Sequence, residues 1–215
     1  MSAPAAVALA ALCVLASPLA AQDGKNPMPG GGALGGGMRV TPAEWAAMPT
    51  PPGYSFATGV ALFTSQYGLD SWYATQALGA PNVFPRYGDL PGAWAPASTS
   101  SPQDVLVLTF GGQPTQEIWV FETYGVGGLY EVDDLTGGSP VPLWVGTPAA
   151  ASAGEARVLR ITLPQPRPIF ALRLIVNAAA VGLYPEIDAV CIVPTLAGPQ
   201  LASPLPAPGA SAPKP

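Results

Sequence analysis

The sequence predicts an all-β domain, a two-sheet antiparallel sandwich of about eight short strands. Three observations predict it. Runs of β-branched and aromatic residues recur along residues 54–194, each closed by Gly, Pro, Asp or Asn. Apolar and polar positions alternate in Arg157-Val158-Leu159-Arg160-Ile161-Thr162-Leu163, as on a half-buried strand. No stretch of roughly ten residues in this region carries a helical period of about 3.6, so the strands must pair without crossover helices.

The elements follow in chain order. Residues 1–21, MSAPAAVALAALCVLASPLAA, hold a short apolar stretch, a Ser-Pro break and small residues, the pattern of a secretory signal peptide cleaved after Ala21. The n-region has no Lys or Arg, and Leu19 stands where a small residue is usual. The stretch is too short for a transmembrane span, and no longer apolar run occurs elsewhere. Residues 22–53 read as a Gly/Pro-rich linker, flexible through Gly37, with a short helix at Thr41-Pro42-Ala43-Glu44-Trp45. Thr41 and Glu44 form a capping box there, proline sits at the first helical position, and Trp45 and Met48 anchor the segment.

Within 54–194 the strands are expected at Phe56–Phe63, Val105–Phe110, Ile118–Thr123, Tyr130–Asp133, Val141–Val145, Arg157–Leu163, Ile169–Asn177 and Ile187–Val193. This span is long enough for one core. Residues 195–215 are Pro, Ala, Ser and Gly with one Lys, a composition that reads as a disordered tail.

Composition removes several function classes. There is no histidine, so Ser-His-Asp and Cys-His catalysis and His-containing zinc sites are excluded. With the signal removed, Cys191 is alone in an apolar run and reads as a buried, inert thiol. The net charge is −5, and eight Lys plus Arg are scattered, so no basic patch for nucleic acid is predicted. Arg157, Arg160, Arg167 and Arg173 read as solvated outer-face residues.

Three segments carry a family likeness. They are Ser65-Gln66-Tyr67 with Ser71-Trp72-Tyr73-Ala74-Thr75-Gln76-Ala77-Leu78-Gly79-Ala80-Pro81-Asn82, then Tyr87-Gly88-Asp89-Leu90-Pro91-Gly92-Ala93-Trp94-Ala95-Pro96, and Glu186-Ile187-Asp188-Ala189-Val190. Phe121-Glu122-Thr123-Tyr124 supports them. Together they resemble the discoidin-like, galactose-binding-like domains of bacterial exported proteins, and the amino-terminal domain of some F-box leucine-rich-repeat proteins. The resemblance implies a jelly-roll β-sandwich of about eight strands over residues 54–194. It implies a non-catalytic module and no agreed ligand. Gly125-Val126-Gly127-Gly128 departs from the Asn-Pro-Gly turn common in such domains.

The resemblance also implies a structural calcium ion, with Asn82, Asp89 and Glu186 as candidate ligands supplemented by loop carbonyls. The other reading has Asp89 capping the Gly88–Gly92 turn and Glu186 pairing with an arginine. Asp188 is either a solvated outer-face carboxylate or an acceptor for a neighbouring loop, and Glu122 is placed to accept N–H groups of the glycine-rich loop. A glycosidase pair among Glu122, Glu186 and Asp188 is not supported by the spacing. Loop aromatics are the usual means by which β-sandwich modules hold sugar rings. Tyr73, Phe84, Arg86, Tyr87 and Tyr184 are the ligand-site candidates, whereas Trp72 and Trp94 read as plugs at the ends of the sandwich. The sequence therefore predicts an exported, non-enzymatic binding module for carbohydrate or another envelope ligand. The alternative is a structural or protein-interaction domain in which the aromatics pack inward.

Overall fold

The computed structural model describes residues 34–48, 53–151 and 154–194. The expected signal segment, residues 22–33 of the linker and the tail 195–215 lie outside the described residues. The chain builds β1 (Gly36–Val40), α1 (Pro42–Ala46), β2 (Ser55–Phe56), β3 (Gly59–Phe63) and a 3-10 turn at Ala74–Ala77. It continues through β4 (Asp104–Thr109), β5 (Pro114–Tyr124), β6 (Leu129–Asp134), β7 (Val141–Val145), β8 (Arg157–Pro168), β9 (Ala171–Val176), α2 (Ala178–Val181) and β10 (Glu186–Val193). Two antiparallel sheets result, ordered β1-β8-β5-β10-β2 and β3-β4-β9-β6-β7. The fold is an all-β sandwich.

Among the described residues ten strands stand where about eight were expected, two more than the sequence runs suggested. The run Phe56–Phe63 is cut at Ala57-Thr58, which carries the chain from one sheet to the other as β2 and β3. The second addition is a correction: Gly36–Val40 is not linker. It pairs with β8 in continuous register, Gly36 opposite Thr162 and Val40 opposite Val158, so the sandwich starts well before residue 54. Its glycines answer a packing demand. A Cβ on Gly37 would overlap the Trp144 indole, and Gly35 N–H donates to the Leu143 carbonyl of β7 at 2.7 Å, which ties the two sheets together along one side.

Core packing follows strand alternation. Leu106, Leu108, Ile118, Val120, Leu159, Ile161, Leu172, Leu174, Val190 and Ile192 meet between the sheets, with Trp94 fully buried among them. The outer face of the β1-β8-β5-β10-β2 sheet is also apolar: Trp119, Phe121, Val158, Ala189, Cys191 and Val193 form a second cluster. Helix α1 covers this face. Thr41 Oγ1 accepts from Glu44 N–H at 3.1 Å and the Glu44 carboxylate accepts from Thr41 N–H at 2.7 Å, the expected capping box. Trp45 then stands edge-on to Trp119 and Phe121, with ring centroids 4.5 and 5.1 Å away, and Met48 packs beside it. Both faces of β10 are buried as a result. Cys191 is free and fully buried, and desolvation pushes its thiol up to about 12, so it is inert.

Arg157, Arg160, Arg167 and Arg173 stay partly exposed, as expected, and each is also ion-paired. Arg160 bonds Glu117 at 2.8 Å, Arg167 bonds Asp134 at 2.8 Å, Arg173 lies 2.6 Å from Asp133 and 3.6 Å from Glu131, and Arg157 pairs with Glu155. The Arg160 and Arg173 pairs brace the outer faces of their sheets, the Arg167–Asp134 pair joins one sheet to the other, and no basic patch forms among the described residues.

Candidate functional site

The ends of β3, β5 and β7 and the starts of β4, β6, β8 and β10 fall at one end of the sandwich. The long 64–103 segment, the glycine-rich turn Gly125–Gly128 and residues 177–185 therefore gather there. Two devices hold the long segment onto β10. Trp94 and Ile187 exchange backbone hydrogen bonds at 2.9 Å each, and the Trp94 indole donates to the Ser65 carbonyl at 3.1 Å. Asp188 stands at an irregularity between Ile187 and Ala189. Its carboxylate accepts three successive N–H groups, from Asn82 at 3.1 Å, Val83 at 3.0 Å and Phe84 at 2.7 Å. Asp188 is fully buried, and that burial pushes its pKa above the usual carboxylate range while the three N–H groups oppose the shift. Of its two expected roles, accepting from a loop is the one observed.

Glu186 occupies the centre of this end. It is fully buried, yet no arginine meets it. Trp72 Nε1–H donates to Glu186 Oε1 at 3.0 Å, Thr123 Oγ1 lies 3.4 Å from Oε2, and Leu90 N–H and the Asp89 carboxyl complete its surroundings. Burial first, and the neighbouring Asp89 second, push Glu186 up to about 9, so it is neutral at ordinary pH. The Trp72 donor is placed at a local cost: Trp72 has φ of 56°, a left-handed conformation that costs a non-glycine residue about 1–2 kcal/mol.

Aromatic rings surround this pair. Tyr67 packs edge-on against Trp72 at 5.5 Å and Tyr184 at 5.1 Å between centroids, and it is 53% exposed. On the Asp89 side, Tyr87 lies 5.5 Å from Tyr124, which is itself opposite Glu186 in the β5–β10 register. Burial, then the neighbouring Tyr124 and Glu186, raise the Tyr87 phenol above its usual range. The loop backbone is fitted closely here. A Cβ on Gly125 would overlap the Tyr184 carbonyl, and Gly127 passes against the Ala149 carbonyl; both have positive φ, 51° and 95°. The Gly127 N–H donates to Glu122 at 3.2 Å, as expected of that carboxylate. Glu122 is itself clamped by Arg39 Nε at 2.6 Å, and Arg39 lies across the Trp144 ring.

The expected ligand residues separate into three groups. Tyr87 and Tyr184 lie at the Glu186 end. Phe84 does not: it packs edge-on against Phe121 at 5.3 Å in the outer-face cluster. Arg86 is exposed but directed at the Val83 and Asn82 carbonyls, each at 3.4 Å, and Tyr73 lines a separate apolar groove along the edge strand β3. Three aromatics at this end were not among the candidates: Tyr67 and Tyr124 stood only within the family-like segments, and Trp72 read only as a plug. Their proximity to the Glu186-Ile187-Asp188 motif at the start of the last strand is tertiary, and no spacing in the chain reports it.

The donors expected for calcium do not fit a calcium cage, which needs about six to eight oxygens. Trp72 Nε1–H and Thr123 Oγ1–H already donate to Glu186. Asn82 is exposed, its N–H is committed to Asp188, and its side-chain oxygen sits against Gly92. Among the described residues no three Asp, Glu, Cys or His side chains group as metal ligands. No helix of the described residues is long and apolar enough to cross a membrane. No family model matches the chain.

Proposed function

We propose that this chain is an exported, non-catalytic binding module of the galactose-binding-like kind, taking a carbohydrate or another envelope ligand at the Glu186 end. The observation that carries this reading is the ring of partly exposed aromatics, Tyr67, Tyr184, Tyr87 and Tyr124, around the Glu186–Asp89 carboxyl pair. Flat apolar ring faces stack on the C–H faces of sugars, and the adjacent carboxyl and phenol groups match hydroxyls. The absence of histidine and the inert Cys191 support a binding role over catalysis. Export rests on the signal-like residues 1–21, and the jelly-roll assignment rests on the resemblance of the Trp72, Trp94 and Glu186 motifs.

A second reading has its own support. The edge strand β3 has no charged residue or proline, exposes Leu62 and Phe63, and borders a groove of about 550 Å³ reaching Leu69, which is 88% exposed. Edge strands are usually blunted, and this one suits a protein partner. A glycan array run beside pull-down from envelope extract tests both. Glycan binding that Tyr87→Ala and Tyr184→Ala abolish supports the module. Protein capture that those variants leave intact and Phe63→Glu abolishes overturns it in favour of the second reading.

A further inference from the structure

Away from the loop end, the outer face of the β1-β8-β5-β10-β2 sheet carries a groove of about 360 Å³ beside α1. Its walls are Trp45, Met48, Tyr54, Phe56, Trp119 and Phe121, and among the described residues no charged side chain lines it. Trp45 stands edge-on to Trp119, and Tyr54 edge-on to Phe56 with ring centroids 5.5 Å apart. Tyr54 is 40% exposed, so the groove opens to solvent on its side. The chain leaves the sandwich next to this groove. Trp119 and Phe121 stand opposite Cys191 and Ala189 of β10, and Val193 belongs to the same outer-face cluster. The groove floor therefore lies within about 13 Å of strand from the end of β10. Pro194 then packs at Gly53, the neighbour of Tyr54: a Cβ on Gly53 would stand 3.3 Å from the Pro194 ring.

We propose that this groove is the docking site of the chain's own proline-rich tail, with residues 201–208 seated on it in the polyproline II form. Ser203, Leu205 and Ala207 each precede a proline, which holds them to extended backbone and bars a helix. Strand pairing is barred as well, because the prolines carry no N–H and the groove lies on a sheet face, not at an edge. Polyproline II is what remains, and its low ordering cost is what aromatic-lined grooves exploit. Its threefold repeat sets Leu201 with Pro204 and Leu205 with Pro208 on two sides, and leaves Ser203 with Pro206 on the third. The Trp45 indole N–H and the Tyr54 hydroxyl are donors for the carbonyls that this backbone leaves free. Charge agrees, since residues 195–213 are uncharged like the groove. Reach agrees too: residues 195–200 extend to about 19 Å, and Gly198-Pro199 supplies a turn back over β10. A tethered tail meets the groove at an effective concentration of about millimolar, so contacts too weak to hold a separate protein suffice.

The test is titration of the full chain with a synthetic peptide of residues 195–215, followed by calorimetry and by amide chemical shifts. Two receptors are compared, the parent and Leu201→Asp/Leu205→Asp, in which the chain's own tail is disabled. Both changes lie beyond β10, so the variant is expected to keep the parent's circular dichroism. The peptide is expected to bind the variant at least about tenfold tighter than the parent, whose tethered tail competes for the groove. Shifts are expected at Tyr54, Phe56 and Trp119, and Tyr54→Ala, at a partly exposed position, is expected to abolish binding to the variant. A peptide with Ala for Pro204, Pro206 and Pro208 is expected to bind at least about tenfold more weakly, because its extended form is no longer preorganised. Equal binding to parent and variant, or binding to neither at about 1 mM peptide, overturns the proposal. Shifts confined to the Gly125–Gly128 turn and Tyr184 overturn it in favour of the loop end. Undiminished binding of the alanine peptide overturns the polyproline II form. A parent that sediments as a dimer with rising concentration, beside a monomeric variant, gives the groove to a second copy's tail and overturns the intramolecular contact.

Discussion

Replacing Trp45 by Ala tests whether the segment before residue 54 belongs to the folded domain. Trp45 projects from α1 onto the outer face of the β1-β8-β5-β10-β2 sheet, edge-on to both Trp119 and Phe121. A fully enclosed Trp→Ala change costs about 3–5 kcal/mol, part of it for the cavity left behind. Trp45 is only half-buried and borders an open groove of about 360 Å³, so the cavity contribution is small here. What is lost is roughly half of the burial and two edge-to-face contacts of about 0.5–1.5 kcal/mol each, giving about 2–3 kcal/mol. For a domain of this size that corresponds to a melting temperature lowered by roughly 5–10 °C. Guanidinium and thermal unfolding of the full chain, followed by far-UV circular dichroism, measure it. The denaturation midpoint is expected to fall with the m-value unchanged. Thr41→Ala, which removes the capping box alone, is expected to cost about 1 kcal/mol. A Trp45→Ala protein within about 0.5 kcal/mol of the parent would refute the reasoning, because changes of that size are typical of surface sites that hold nothing down.

Two further outcomes are expected. Burial raises Glu131 to about 7 and Glu186 to about 9, so the folded state holds protons there that the unfolded chain releases near its ordinary carboxylate range. Their contribution to stability is fully present below about pH 4.5. The Glu131 part is lost as pH rises toward 7 and the Glu186 part toward 9, each with a slope of about 1.4 kcal/mol per pH unit before solvent screening. Unfolding free energy measured from pH 5 to 9 should therefore decline, and Glu186→Gln, which keeps a neutral donor, should flatten the alkaline half; stability that rises with pH would contradict this. Asp188→Ala leaves the N–H groups of Asn82, Val83 and Phe84 without their acceptor and is expected to cost about 2–4 kcal/mol. Amide exchange at those three residues should accelerate well beyond that of the β4–β9 ladder; uniform acceleration would mean that Asp188 does not act through the loop.

Strand identity was legible because it is a local property. Val105, Val107, Arg160 and Thr162 alternate with inward neighbours, and the turns between runs carry their own glycines and prolines. The start of the domain was not legible, because Gly-Gly-Met-Arg-Val has no strand propensity of its own. Its place in the sheet depends on β8 beside it and on the Trp144 ring, which only glycine lets approach. The site was half legible for a similar reason. The Glu186 and Asp89 motifs point to one end of the sandwich, and Tyr87 and Tyr184 flank them in the chain. Phe84 read as a ligand aromatic because it sits in a loop, yet Asp188 draws that loop down and turns the ring onto Phe121. A carboxylate written as a strand residue thus decided which loop aromatic faces inward.

Charge is handled differently in the sheets and at the loop end. Along the outer faces of the sheets, carboxylates meet arginines of neighbouring strands, Glu117 with Arg160 and Asp133 with Arg173, and Asp134 meets Arg167 from one sheet to the other. Each such pair removes a cation from any role in binding. At the loop end the arrangement changes, because Asp188 is satisfied by backbone N–H groups and Glu186 by a proton. The N–H groups are uncharged and the proton neutralises Glu186, so this end orders its carboxylates without an arginine, whereas the sheets pair theirs with one.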